Sequence, residues 1–167
     1  MIFQEVKKLT AKEIFDATKE HLLEQQETSY WDHVPDTCAY HTTNQDGKPI
    51  ACAIGFRIPD KIYHEDLEDQ SVMDLIEAEP TFTFLLPTDL PDKIGESFLH
   101  SLQQLHDQIS VENWPEAFNI LEAYWFDGET VNEPALPTVA TLYKDYSFFT
   151  HSLPAFRALY KDTATGD

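Results

Sequence analysis

Cysteine, glycine and arginine are all scarce in this sequence, and each scarcity removes a class of function. Only two cysteines occur in 167 residues, Cys38 and Cys52. With no CxxC, HExxH or HxxxH spacing, the common zinc patterns are missing. The five glycines are scattered, with Gly47, Gly55 and Gly95 each standing alone, so no glycine-rich phosphate loop can form. Arg57 and Arg157 are the only arginines, which leaves an anionic substrate few bidentate partners. Apolar runs are short, "FTFLL" being among the longest, so no membrane span is expected. The start, "MIFQEVKKLTAKE", has no apolar core followed by small residues, so no secretory signal is expected. Two cysteines without such a signal point to reduced thiols and a cytoplasmic location.

What the chain does have is apolar surface and acid. Hydrophobic residues make up 42% and aromatics 13%, enough to offset the conformational entropy of folding one domain. The formal net charge is −19. Residues 1–58 carry a net −3, residues 59–134 a net −16 with only Lys61 and Lys93 as cations, and residues 135–167 a net zero. Such a concentration repels nucleic acid and anionic membrane and attracts basic protein surfaces.

Along the chain, Thr10 and Glu13 fit a capping box, and Ile14, Phe15, Ala17, Leu22 and Leu23 recur near helical spacing with Thr18 bridging Phe15 and Leu22, predicting a helix over 11–26. Segments 38–43 and 50–57 flank "NQDGKP" and predict a β-hairpin. Ser71 and Asp74 start a short helix to about residue 78, stopped by Pro80. The alternation in "TFTFLLP" predicts a third short strand, although a buried helical turn fits the same pattern. Residues 91–109 carry Ile94, Phe98, Leu102, Leu105 and Ile109 on one helical stripe. Asn113, Pro115 and Glu116 predict a helix start for 114–126, ended by Asp127-Gly128. Two short aromatic helices follow, near 138–149 and 153–161. The expected fold is α+β: a small antiparallel sheet built on the 38–57 hairpin and packed by several amphipathic helices. Residues 1–128 form one domain. Residues 129–167 are an aromatic extension that packs on it or makes a homodimer contact. The core is expected to hold Ile54, Phe56, Phe98, Leu102, Leu105, Phe118 and Leu121.

The segment "CAYHTTNQDGKPIACAIGFRIPDKIY", followed by "LQQLHDQISVENW", resembles a pattern in small phage and bacterial proteins of no known function. The pattern runs Cys-x-Tyr, a turn, Cys-Ala-Ile-Gly, Ile-Pro-Asp-x-x-Tyr and Leu-Gln-x-x-His-Asp before a tryptophan, and it covers roughly residues 38–120. The resemblance implies that Cys38, Cys52, Gly55, Pro59, His106, Asp107 and Trp114 belong to one structural unit. It implies no activity.

The candidate chemistry divides in two. A thiol- or metal-dependent hydrolase would use Cys52 with His41, His106 and Asp107, and a metal would recruit from His33, His41, Cys38, Cys52 and His106. The hairpin register decides the thiols. A two-residue turn sets Cys52 opposite His41, a loop from Thr43 to Gly47 sets it opposite Cys38, and an intermediate four-residue loop puts the two thiols on opposite faces. The plain reading has both cysteines packed as small apolar residues. The other candidate is the acidic segment itself. Asp60, Glu65, Asp66, Glu68, Asp69, Asp74, Glu77 and Glu79 lie within twenty residues. Rows of carboxylates on a folded surface imitate the charge spacing of DNA, one charge per roughly 1.7 Å of axis. The favoured expectation is an acidic, non-enzymatic interaction protein. It is a phage-type DNA mimic or charge-complementary inhibitor of a basic nucleic-acid-binding protein, and it needs no cofactor or metal.

Overall fold

The first helix begins where two oxygens meet two orphan amides. The computed structural model describes residues 6–30, 38–127, 130–131 and 158–159. In it Thr10 Oγ1 accepts from the Glu13 amide, and Glu13 Oε2 accepts from the Thr10 amide, each at 3.3 Å. Asp89 adds a third acceptor from a distant loop, 2.8 Å from the Ala11 amide. Helix α1 (Ala11–Gln25) buries Ala11, Ile14, Phe15, Thr18 and Leu22. Thr18 sits in that stripe because its hydroxyl donates back to the Ile14 carbonyl at 2.7 Å.

The hairpin is shorter than its pattern suggests. Strand β1 (His41–Thr43) pairs antiparallel with β2 (Pro49–Ala51), with Thr43 opposite Pro49 and His41 opposite Ala51. At the tip, Asn44 Oδ1 accepts from the Asp46 and Lys48 amides, both at 2.9 Å, and Gly47 takes the positive φ of 78°. This register matches none of the three turns considered from the sequence, and it continues to place Cys52 across from Tyr40. The second strand ends at Ala51 because the Cys52 sulfur captures the Gly55 amide at 3.3 Å and the chain winds into a 3₁₀ turn, Gly55–Arg57. Only glycine fits there: a Cβ on Gly55 would lie 2.0 Å from the Tyr40 carbonyl oxygen.

The expected third strand is instead a 3₁₀ helix, Pro80–Leu85. Phe82, Phe84 and Leu85 are buried and Thr83 is exposed, so burial alternates as in a strand while the backbone does not. Pro80 presets the first turn, Thr83 donates to the Pro80 carbonyl at 2.9 Å, and Arg57 donates to the Phe84 and Leu85 carbonyls at 2.8 and 2.9 Å. Helix α2 (Val72–Ala78) has the expected Ser71–Asp74 capping box. Helix α3 (Asp92–Gln108) and helix α4 (Trp114–Trp125) follow. Asn113 does not cap α4 through its side chain. It closes a 3₁₀ turn, Val111–Asn113, that feeds straight into the helix. Beyond α4 lies a small hairpin absent from the sequence reading, β3 (Phe126–Asp127) with β4 (Thr130–Val131).

The architecture is α+β, with the two small hairpins at the margin of a helical core. Helices α1, α3 and α4 pack on one another, and one continuous apolar cluster runs from Ala11 to Phe126. Phe15 meets Phe118 edge-on at 5.7 Å, and Phe98 meets Trp125 at 5.2 Å. The expected core residues are buried except Phe56, which is half-buried because its ring stacks on His21 at 4.4 Å instead of entering the cluster. Leu159 packs against the core from the far end of the chain. Apart from a turn at 158–159, the two aromatic helices and the dimer contact expected after residue 131 lie outside the described residues. Among the described residues, no helix is long and apolar enough to cross a membrane.

Candidate functional site

The residues of the hydrolase reading fall into two separate places. Cys38, His106 and Asp107 offer ligand atoms within 4.8 Å of one another. Cys38, not Cys52, is the cysteine beside His106, and Cys52 is close enough to Cys38 to act on its thiol. His106 also lies against Trp114, with ring centroids 6.0 Å apart.

This constellation has the parts of a thiol–imidazole–carboxylate triad, but its protons are arranged for structure. His106 is fully buried, and its Nε2 accepts from the Ser29 backbone amide at 2.9 Å. An amide can only donate, so the neutral ring carries its proton on Nδ1, which donates to Asp107 Oδ1 at 2.7 Å. The lone pair a general base would use is therefore taken. Burial, then the hydrogen bond and charge of Cys52, then the carboxylates of Asp107 and Glu68, push the Cys38 thiol well above its ordinary range. Thiolate formation is opposed on every side. A cation faces the same difficulty, since it would have to displace either Ser29 or Asp107 to reach a ring nitrogen. The cluster works as a clamp. It ties the loop before β1 to helix α3, with Ser29 Oγ donating to the Ala39 carbonyl and Tyr30 bridging Cys38.

His41 is elsewhere, on the hairpin. Its Nε2 donates to the Gly55 carbonyl at 2.7 Å, its ring stacks on Tyr63 at 4.3 Å, and its Nδ1 lies 3.5 Å from Asp60 Oδ1. It faces His21 of α1 across a groove of about 380 Å³ whose walls include Gln25, Ile50, Phe56 and Ile58. Burial lowers the His21 pKa, outweighing the opposing hydrogen bond to Ala51. The groove escaped the sequence reading. Its one legible signal was His21 and Gln25 at i and i+4, hence on one face of α1.

The acidic segment is mostly, not wholly, outward. Asp60, Glu65, Asp66, Asp69, Asp74, Glu77 and Glu79 are exposed, and Lys61 is the only lysine or arginine among residues 60–79. Glu68 departs from expectation: it is 5% exposed and accepts from the Tyr40 amide at 2.8 Å, the His41 amide at 3.1 Å and the Tyr63 hydroxyl at 2.7 Å. These bonds cap the outer edge of β1, so Glu68 belongs to the fold and leaves the partner-facing set. Crowding of acid extends from α2 onto α3: burial first, then the Asp74 charge, raises the Glu96 pKa against the pull of Lys93.

Comparison with known proteins finds no matching family model, no matching curated protein and no matching solved structure.

Proposed function

We propose that this chain is an acidic, non-enzymatic interaction protein that covers a basic, nucleic-acid-binding surface of a partner protein. The observation that supports this reading is the run of seven exposed carboxylates over residues 60–79 with one lysine among them. Helix α2 buries Val72 and Leu75 and turns Asp74 and Glu77 outward, so these charges stand on a folded surface and not on a tail. The hydrolase reading has less support, because the Ser29 amide occupies the imidazole lone pair it needs.

The test is capture of basic DNA-binding proteins on the immobilised chain. Retention at about 50 mM salt, release by about 500 mM salt and displacement by duplex DNA are expected, because screening shortens the reach of exposed charges to a few ångströms. A quadruple variant, Asp69→Asn, Asp74→Asn, Glu77→Gln and Glu79→Gln, is expected to lose most of the retention. Binding unchanged by salt, or unchanged in that variant, would sink the proposal.

A further inference from the structure

The groove between α1 and the hairpin has an unusual hydrogen-bonding polarity. Both of its imidazoles have already committed their donors. The Ala51 and Gly55 carbonyls can only accept, so Nε2–H of His21 donates to Ala51 at 3.1 Å and Nε2–H of His41 donates to Gly55 at 2.7 Å. Each neutral ring is left with Nδ1 as an acceptor. Turning either ring over would give up its carbonyl hydrogen bond, and stacking holds the ring planes, with His21 9° from Phe56 and His41 22° from Tyr63. Nδ1 of His41 lies 3.5 Å from Oδ1 of Asp60, whose side chain is 100% exposed, so that carboxylate is open to a ligand while the ring is neutral and becomes the ring's own partner once it is protonated. Ile50 and Ile58 add apolar lining.

We propose that this groove receives an arginine side chain of the basic partner, which makes it the anchor of the acidic surface. The inference rests on the interaction reading above and specifies where its partner is gripped. A guanidinium is flat, weakly hydrated and a donor only, and it matches acceptors, ring faces and a carboxylate at once. A lysine ammonium is compact and strongly hydrated, so it gains less from flat rings. A phosphate or carboxylate would meet lone pairs and the Asp60 charge, and is rejected.

The same geometry makes the grip sensitive to pH. Protonating either imidazole turns Nδ1 into a donor and adds a positive charge facing the ligand. The titratable neighbours are Glu24 on the same helix and His106 from α3 for His21, and Asp60 with Glu68 behind Tyr63 for His41. Binding is therefore lost on acidification, and because burial lowers the His21 pKa, the share of the loss due to that ring falls below the ordinary imidazole range.

The experiment is a titration of the full chain with an acetylated Gly-Arg-Gly peptide and its Gly-Lys-Gly counterpart, read by histidine-ring NMR. At about pH 8 the arginine peptide is expected to move the His21 and His41 resonances, and the lysine peptide to move them less. Affinity is expected to fall as the pH is lowered from there, by about tenfold per pH unit for each linked proton. Asp60→Asn is expected to weaken binding, and Glu112→Gln, an exposed acid near α4, to leave it unchanged. Ring resonances that stay put at pH 8, or equal affinity on both sides of the imidazole range, would overturn the anchor. Basic proteins still captured at low salt with the rings unmoved would show that the acidic surface binds without the groove. Peptide binding at the rings with no protein captured would uphold the groove and remove the interaction reading.

Discussion

Because the Glu68 carboxylate accepts from two backbone amides and one phenol, its replacement by glutamine cannot be silent. One oxygen remains, and the new NH₂ faces either the Tyr40 amide or the His41 amide, donor against donor in both cases. A buried group left in that state costs roughly 1–3 kcal/mol. Glu68→Gln is therefore expected to lower the urea midpoint at unchanged slope. Asp69→Asn, one position on, should stay within about 0.5 kcal/mol, since it is exposed and asparagine tolerates its left-handed φ of 61°. Equal effects of the two would show that Glu68 is held no differently from its exposed neighbour. Neighbouring letters in an acidic run thus do opposite work, and nothing in the run "HEDLEDQ" marks which carboxylate turns inward. The cue is non-local: the amides it satisfies lie 27 and 28 residues earlier.

At the scale of elements, a two-stranded sheet of three-residue strands survives because side chains stand in for missing strands. Glu68 covers the β1 edge, and the Gln25 carboxamide covers β2, accepting from the Ala51 amide and donating to the Ala51 carbonyl, both at 3.0 Å. Gln25→Ala removes both bonds at once. The expected result is a loss of about 1–2 kcal/mol, at the upper end for a net hydrogen-bond contribution. Faster hydrogen exchange at the Ala51 amide should accompany it, with that of α3 unchanged. Unaltered exchange at Ala51 would refute the capping role. The helices were legible because their signals are local: capping boxes at Thr10–Glu13 and Ser71–Asp74, and the apolar stripe of α3. The Pro80–Leu85 segment misled because a 3₁₀ turn and a strand can bury the same letters, and the choice rests on Pro80 and on Arg57 from elsewhere. The candidate site was legible as residue types, with Cys, His106 and Asp107 together, but not as protons. Which cysteine is present depends on register, and the decisive partner, the Ser29 amide, has no side-chain signature.

For the molecule as a whole, pH acts on stability through groups whose titration differs between folded and unfolded chains. Burial lowers the pKa of His21 and of His100 in the fold. Well above about pH 6.5, both imidazoles are neutral in both states and contribute no slope. As the pH falls through that value, the unfolded chain takes up protons that the folded histidines resist, so stability declines, and the decline levels off below the folded pKa values. Glu96 works in the opposite sense and at lower pH. Its folded carboxyl is raised by burial and by Asp74, so it accepts a proton before the unfolded one and relieves repulsion as acid is added. A chain with net charge −19 also gains from general neutralisation in that lower range. The histidine contribution is isolated by comparing the protein with a His21→Gln, His100→Gln variant across about pH 8 to about pH 5. The protein is expected to lose more stability than the variant over that interval, so the gap between them moves in the variant's favour as pH falls. A gap that stays constant with pH would mean that neither imidazole is held neutral by the fold, and with it would go the physical basis for a groove that is acceptor-only at neutral pH.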